Sequence, residues 1–125
     1  MYLVDTNMFL EILLQQDKSK DCKSFLNKNI GSLNISDFSF HSIGIILFKN
    51  NDEKIFLKFI SDILPNTNLV YLPQDDYKEV INIKQKIKLD FDDSYQYSLC
   101  RRFELKLITV DHDFKRVKDI DTQFL

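Results

Sequence analysis

Three aspartates stand where an α/β protein places its chemistry. Asp5 follows the apolar run Tyr2-Leu3-Val4 directly, and Asp111 closes the run from Leu105 to Val110. Asp93 sits in the first turn of a helix-like stretch that leads into that second run. Each acid has an ordinary structural use when taken alone. Asp5 can cap the helix that follows it, Asp93 can answer a helix dipole, and Asp111-His112-Asp113 can form a polar turn. Their arrival together at one end of a sheet is harder to assign to chance. Two carboxylates about 5 Å apart repel by roughly 3 kcal/mol at an effective dielectric near 20, so a protein that gathers several needs an offsetting cation. Mg²⁺ and Mn²⁺ are hard ions that take carboxylate oxygens and water. Such an ion lowers the pKa of a water, polarises a phosphoryl oxygen and stabilises a leaving oxygen. An acidic cleft of this kind suits phosphodiester hydrolysis.

The elements that must position these acids alternate along the chain. Tyr2-Leu3-Val4 reads as a short buried strand, and a helix follows from Thr6 with Met8, Phe9, Ile12 and Leu13 on one face. Residues 18–28 form a lysine-rich helix with Cys22, Phe25 and Leu26 inward. Leu33-Asn34-Ile35 is a second strand, and Ser36 or Asp37 caps a third helix carrying Phe40, Ile43 and Leu47. Ile55, Phe56, Phe59, Ile60 and Ile63 predict a fourth helix ended by Pro65; Leu69 to Leu72 is a third strand stopped by Pro73. Tyr77, Val80, Ile81, Lys84 and Ile87 mark a fifth helix, and a sixth runs from about Asp92 to Glu104. Leu105 to Val110 is the last strong strand. Strands alternating with helices predict an α/β three-layer sandwich around a central, mostly parallel β-sheet. In such sheets ligands bind beyond the carboxyl ends of the strands, where the strand order switches.

Length and composition agree with one domain over residues 1–125. The chain is 44% hydrophobic and 29% charged, with eleven Phe and only two Gly and two Pro, which excludes disordered and collagen-like classes. Cys22 and Cys100 lie far apart in apolar stretches and read as reduced core thiols, with no Cys/His spacing for zinc. The N-terminus meets a charge at Asp5 and does not read as a signal peptide, and no apolar run reaches the ~20 residues that span a bilayer. A cytoplasmic location is expected. The net charge of −2 means that nucleic acid, if bound, is held by local basic clusters or by metal ions that offset the acids.

Leu3-Val4-Asp5-Thr6-Asn7 resembles the opening of PIN domains, in which a strand delivers an aspartate followed by Thr and Asn. Asp93 to Cys100 resembles their helix motif, an Asp with a small residue seven positions later. Leu107-Ile108-Thr109-Val110-Asp111-His112-Asp113-Phe114 resembles their closing strand, Thr-x-Asp and Asp-Phe. The three motifs occur in family order over essentially the whole chain. The resemblance implies a ribonuclease using Mg²⁺ or Mn²⁺, similar to the VapC-like toxins of type II toxin–antitoxin pairs. By position it implies that Asp5, Asp93 and Asp111 bind metal and that Asp113 completes or supports the site. It assigns Thr6 and Asn7 to orienting Asp5 or a water. It further implies a homodimer and a cognate antitoxin that covers the cleft.

One position departs from the family pattern. A glutamate is usual early in the third helix, and counting from Ser36 puts that position at Ser42, beside His41. A serine hydroxyl can position a water but binds an ion weakly. His41 can donate to a phosphate or exchange a proton near neutral pH. Asp92 is the alternative to Asp93 for the helix acid; neighbours on a helix point about 100° apart, so one ion does not easily take both. Arg101 and Arg102 with Lys106, and Lys115 and Arg116 with Lys118, are candidate contacts for an RNA backbone.

The competing reading keeps the fold and drops catalysis, leaving an RNA- or protein-binding module with a degenerate pocket. A phosphotransfer receiver domain would need paired acids near the start and a late strand-end lysine, which are not evident. A haloacid-dehalogenase-type phosphatase would need Asp-x-Asp where this chain has Asp5-Thr6-Asn7. Gly-rich nucleotide loops are absent, and nothing local supports a Ser or Cys nucleophile.

Overall fold

A computed structural model describes the backbone of residues 1–125 and every side chain except those of Asp113 and Arg116. Among the described residues five strands form one sheet: β1 (Tyr2–Val4), β2 (Leu33–Ser36), β3 (Asn68–Val70), β4 (Lys106–Thr109) and β5 (Thr122–Phe124). Their order is β3-β2-β1-β4-β5, and every neighbouring pair is parallel. The order reverses at β1, so the crevice between β1 and β4 is the switch point of the sheet.

Among the described residues six α-helices flank it: α1 (Thr6–Leu13), α2 (Ser19–Lys28), α3 (Asp37–Lys49), α4 (Glu53–Lys58), α5 (Tyr77–Ile87) and α6 (Phe91–Phe103). Asp5 caps α1, its carboxylate accepting from the Thr6 amide, and Ser36 caps α3, its hydroxyl accepting from the Ser39 amide. The expected fourth helix is α4 up to Lys58 and then widens into a π-helical turn, Phe59–Ile63, and a tighter 3-10 turn, Leu64–Asn66. A Cβ added at Gly44 of α3 would come 3.2 Å from the Phe56 ring, so the missing side chain lets α4 pack closely.

Alternation along the strands builds a core on each face of the sheet. Leu3 of β1 and Leu107 of β4 join Leu72, Val80, Leu89, Tyr95 and Leu99 on the face covered by α5 and α6. Val4 and Ile108, one residue further on, join Met8, Phe9, Phe25, Ile43 and Phe59 on the face covered by α1 to α4. Full burial of each such side chain stabilises the fold by about 1.5–3 kcal/mol. The layers are therefore helix, sheet, helix, as expected.

Two strands differ from expectation. β3 ends at Val70 because the Leu72 amide leaves the sheet and donates to the Tyr95 hydroxyl, while the Leu72 side chain enters the core. β5 was not foreseen: its half-buried residues pair with Leu107, Ile108 and Thr109 at the sheet edge. Cys22 and Cys100 are free and buried, and burial pushes their thiols up to about 11 and about 12. Among the described residues no helix is long and apolar enough to cross a membrane.

Candidate active site

β1 and β4 run side by side, Val4 opposite Ile108, and the Asp5 amide donates to the Ile108 carbonyl at 3.0 Å. This register carries Asp5 and Thr109 to the same level at the carboxyl edge of the sheet. The Thr109 hydroxyl donates to Asp5 Oδ2 at 2.6 Å and accepts from the Asp111 amide at 2.9 Å. One buried threonine thus ties the first acid to the backbone of the last. Asp5 Oδ1 accepts from the Thr6 amide at 2.8 Å and faces Gln96 Nε2 at 3.5 Å.

The third wall comes from α6, whose first turn points at this edge. Asp5, Asp93 and Asp111 line one cleft of about 370 Å³ with Thr6, Asn7, Ser42, Asp90, Asp92 and Gln96, closed on its apolar side by Leu10, Phe38 and Ile46. No basic side chain is among the described residues that line it. Asp5 is 6% exposed, Asp93 is half-buried, and Asp90 and Asp92 face solvent.

The electrostatics follow from this crowding. Burial pushes Asp93 up to about 7, and the charges of Asp92, Asp5, Asp111 and Asp90 push the same way. Burial also raises Asp5, against the hydrogen bonds from Thr109, Thr6 and Gln96, with Asp111 adding repulsion. The donors are all hard oxygens, the set that Mg²⁺ or Mn²⁺ takes. Among the described residues, no three His, Cys, Asp or Glu side chains are already closed around one point. The carboxylates share a cleft without meeting.

Beneath the acids lies a buried polar layer that sequence reading missed. Ser39 is fully buried, and its hydroxyl meets Thr6 Oγ1 at 2.7 Å, Ser36 Oγ at 3.0 Å and Gln96 Nε2 at 3.1 Å. Gln96 is 2% exposed and its Oε1 has no hydrogen-bond partner. A buried polar atom left unpaired costs about 1–3 kcal/mol. The available signal was spacing: Gln96 lies three residues after Asp93 on one helix face, and Ser39 three after the cap Ser36.

The remaining sequence candidates fall in different places. Ser42 lines the cleft, whereas His41 is exposed and rests against the Phe40 ring outside it. Arg101 and Arg102 end α6, about 12 Å or more along its axis from Asp93. They stand at the amino edge of the sheet: Arg101 borders a hollow with Met1, Glu104 and Lys106, and Arg102 pairs with Asp76 at 2.8 Å. The parallel topology places these candidate RNA-backbone contacts at the opposite edge of the sheet from the acids. Lys115 lies in the short 3-10 helix His112–Arg116 directly after Asp111, its Nζ 6.0 Å from the Phe124 ring. The side chains of Asp113 and Arg116 lie outside the described residues.

Fold and cleft together define a three-layer α/β protein with a carboxylate site at the switch point of a parallel sheet. A match to the PIN domain spans residues 2–120, and the chain belongs to that family. Comparison with curated protein sequences gave no match. Among solved structures the chain is similar to a chain of a toxin–antitoxin complex from Klebsiella pneumoniae, with a TM-score of 0.78 at 20% identity and all of both chains covered. It is similar to a chain of VapBC2 from Rickettsia felis bound to a promoter DNA fragment, with a TM-score of 0.78 at 15% identity, covering 98% of this chain and 97% of the other. It is also similar to VapC20 of Mycobacterium tuberculosis, a sarcin-ricin loop cleaving toxin, with a TM-score of 0.76 at 11% identity and coverage of 92% and 93%. The fold is VapC-like.

Proposed function

We propose that this chain is a divalent-metal-dependent endoribonuclease and the toxin of a type II toxin–antitoxin pair, working as one domain over residues 1–125. The observation that carries the reading is the cleft in which Asp5, Asp93 and Asp111 crowd together, with Asp93 pushed up to about 7 and no described basic side chain beside it. Support for the substrate and partner comes from the similar folds, one a toxin that cleaves the sarcin-ricin loop and others solved in toxin–antitoxin complexes.

In this reading Asp5, Asp93 and Asp111 hold Mg²⁺ or Mn²⁺, with Asp113 in support. The cation supplies positive charge for a water and for the scissile phosphate oxygens to gather against. Thr109 and Gln96 fix Asp5 from beneath, so that its carboxylate keeps one orientation. Thr6, Asn7 and Ser42 line the cleft where hydroxyl and amide groups can orient the attacking water. Asp92 and Asp90 sit at its rim and add negative potential. Lys115, four residues after Asp111, is assigned to the RNA backbone in preference to Arg101 and Arg102. The products carry 5′-phosphate and 3′-hydroxyl ends. We further assign a cytoplasmic location, a homodimer and an antitoxin that covers the cleft.

A second reading, an RNA- or protein-binding module, is favoured by the hydroxyl at Ser42 and by acids that share the cleft without closing on one point. Incubating an RNA pool with Mn²⁺, Mg²⁺ or EDTA separates the two. Cleavage is expected only with metal, and Asp5→Asn or Asp93→Asn lowers it by roughly 10²–10⁴-fold. Products ending in 2′,3′-cyclic phosphate would overturn the mechanism. A folded wild type inactive with every metal would put the binding module first.

A further inference from the structure

The floor of the cleft holds an amide whose two ends are used unequally. Gln96 lies one helical turn beyond Asp93 on α6 and is 98% buried, lining the same cleft as Asp5, Asp93 and Asp111. Its Nε2 donates to Ser39 Oγ at 3.1 Å and reaches Asp5 Oδ1 at 3.5 Å. Its Oε1 is sealed from solvent and has no hydrogen-bond partner. Turning the amide round would set Oε1 against the Ser39 hydroxyl and the Asp5 carboxylate and leave Nε2 sealed without an acceptor, so one end stays unpaired either way and the Asp5 charge favours Nε2 facing it. The donor end is committed and the acceptor end is open.

Buried acceptors in folded proteins are almost always paired, and an exception calls for a missing water, an ion or a catalytic use. Here the surroundings select among these. The β1, β4 and α6 walls each bring a carboxylate to the cleft, while the α3 wall brings the Ser42 hydroxyl. A hard cation seated among the three acids needs further oxygens, and neutral amide oxygens serve as well as carboxylates in such sites.

We propose that Gln96 Oε1 is a neutral oxygen of the divalent-cation site, supplied from α6 because α3 brings no carboxylate to the cleft, while Nε2 of the same side chain holds Asp5 in register. The proposal rests on the reading of the cleft as a metal site. It makes cation affinity depend on an uncharged residue within the helix motif, at a position to which that motif gives no role.

The test is Mn²⁺ binding by the full chain, followed by calorimetry and by the paramagnetic resonance of free Mn²⁺, with melting temperature in EDTA measured in parallel. Gln96→Met, similar in volume and lacking the amide, is expected to weaken Mn²⁺ binding about 10–100-fold without lowering the EDTA melting temperature to match. Gln96→Glu keeps the oxygen and is expected to bind at least as tightly as wild type. Asp5→Asn serves as the control that removes an acid. If wild type binds Mn²⁺, Asp5→Asn loses it and Gln96→Met keeps full affinity, the inference falls and the metal-site reading stands. If wild type takes up no Mn²⁺, the reading falls and carries the inference with it. Should Gln96→Met fail to fold, Gln96→Glu decides: a folded variant that binds more weakly than wild type overturns the proposal.

Discussion

The two ends of α6 are built from opposite charges. At its first turn Asp90, Asp92 and Asp93 stand over the carboxyl edge of the sheet, beside Asp5 and Asp111. At its last turn Arg101 and Arg102 stand over the amino edge, near Met1, Lys106 and Asp76. Both placements suit the helix dipole, which favours acids at the N-terminus and bases at the C-terminus. They differ in what lies beneath. At the acidic end the Thr109 hydroxyl holds one oxygen of Asp5, and the Thr6 backbone amide and Gln96 Nε2 hold the other. The basic end carries exposed side chains, and the ion pair of Arg102 with Asp76 is open to solvent. The charge at the basic end sits on the surface, whereas Asp5 at the acidic end is buried and held by three hydrogen bonds.

Three predictions sharpen that contrast, from the largest expected effect downward. Thr109→Val removes the hydroxyl that joins Asp5 Oδ2 to the Asp111 amide while keeping the shape of the side chain. Cleavage in Mn²⁺ is expected to fall about 10–100-fold, and a rate equal to wild type would detach the buried layer from the chemistry.

The next effect is on stability against pH. Asp93 in the folded chain is raised from 3.8 to about 7, and burial raises Asp5 in the same direction. Between these values the folded state holds a proton that the unfolded state has released. Stability in EDTA is therefore expected to fall as pH rises from about 4 through about 7. Asp93→Asn should flatten that fall, and Mn²⁺ added above the window should restore stability in wild type. A melting temperature that climbs over the same range in EDTA would contradict the crowding of the acids.

The smallest effect belongs to the basic end. Arg101→Ala and Arg102→Ala are expected to leave cleavage unchanged and to alter stability by less than about 1 kcal/mol, as exposed ion pairs do. Chemical denaturation and the RNA assay measure both. A large loss of cleavage in either variant would mean that RNA reaches across the whole length of α6.

Much of this architecture was legible from periodicity alone. Helical spacing of Phe40, Ile43 and Leu47, or of Tyr95 and Leu99, reports the inward face directly, and α3 and α6 lie where it places them, while Phe103 at the end of the same spacing is exposed. Thr122-Gln123-Phe124 has no apolar run to betray a strand, since β5 is an edge strand with half-buried residues. The Leu69–Leu72 run reads as uniformly strand because composition cannot say that the Leu72 amide prefers the Tyr95 hydroxyl. At the site, acids could be placed by their position after strands. Ser39 and Gln96 could not, because a polar residue in a buried helix reads as a gap in the pattern until a partner from a distant segment, Thr6 or Asp5, is seen against it.

The alternation of Leu3 and Val4 between the two cores has a bearing on how this chain can change its length. β1 is only three residues long, and Asp5 follows it without a spacer. An insertion or deletion within Tyr2–Val4 would exchange the faces of Leu3 and Val4 and also carry Asp5 away from Thr109. The same holds for β4, where Leu107, Ile108 and Thr109 precede Asp111. Descendants of this sequence can gain or lose residues in the loops at the amino edge, such as the turn around Gly31, while the few positions leading into each acid keep a fixed count.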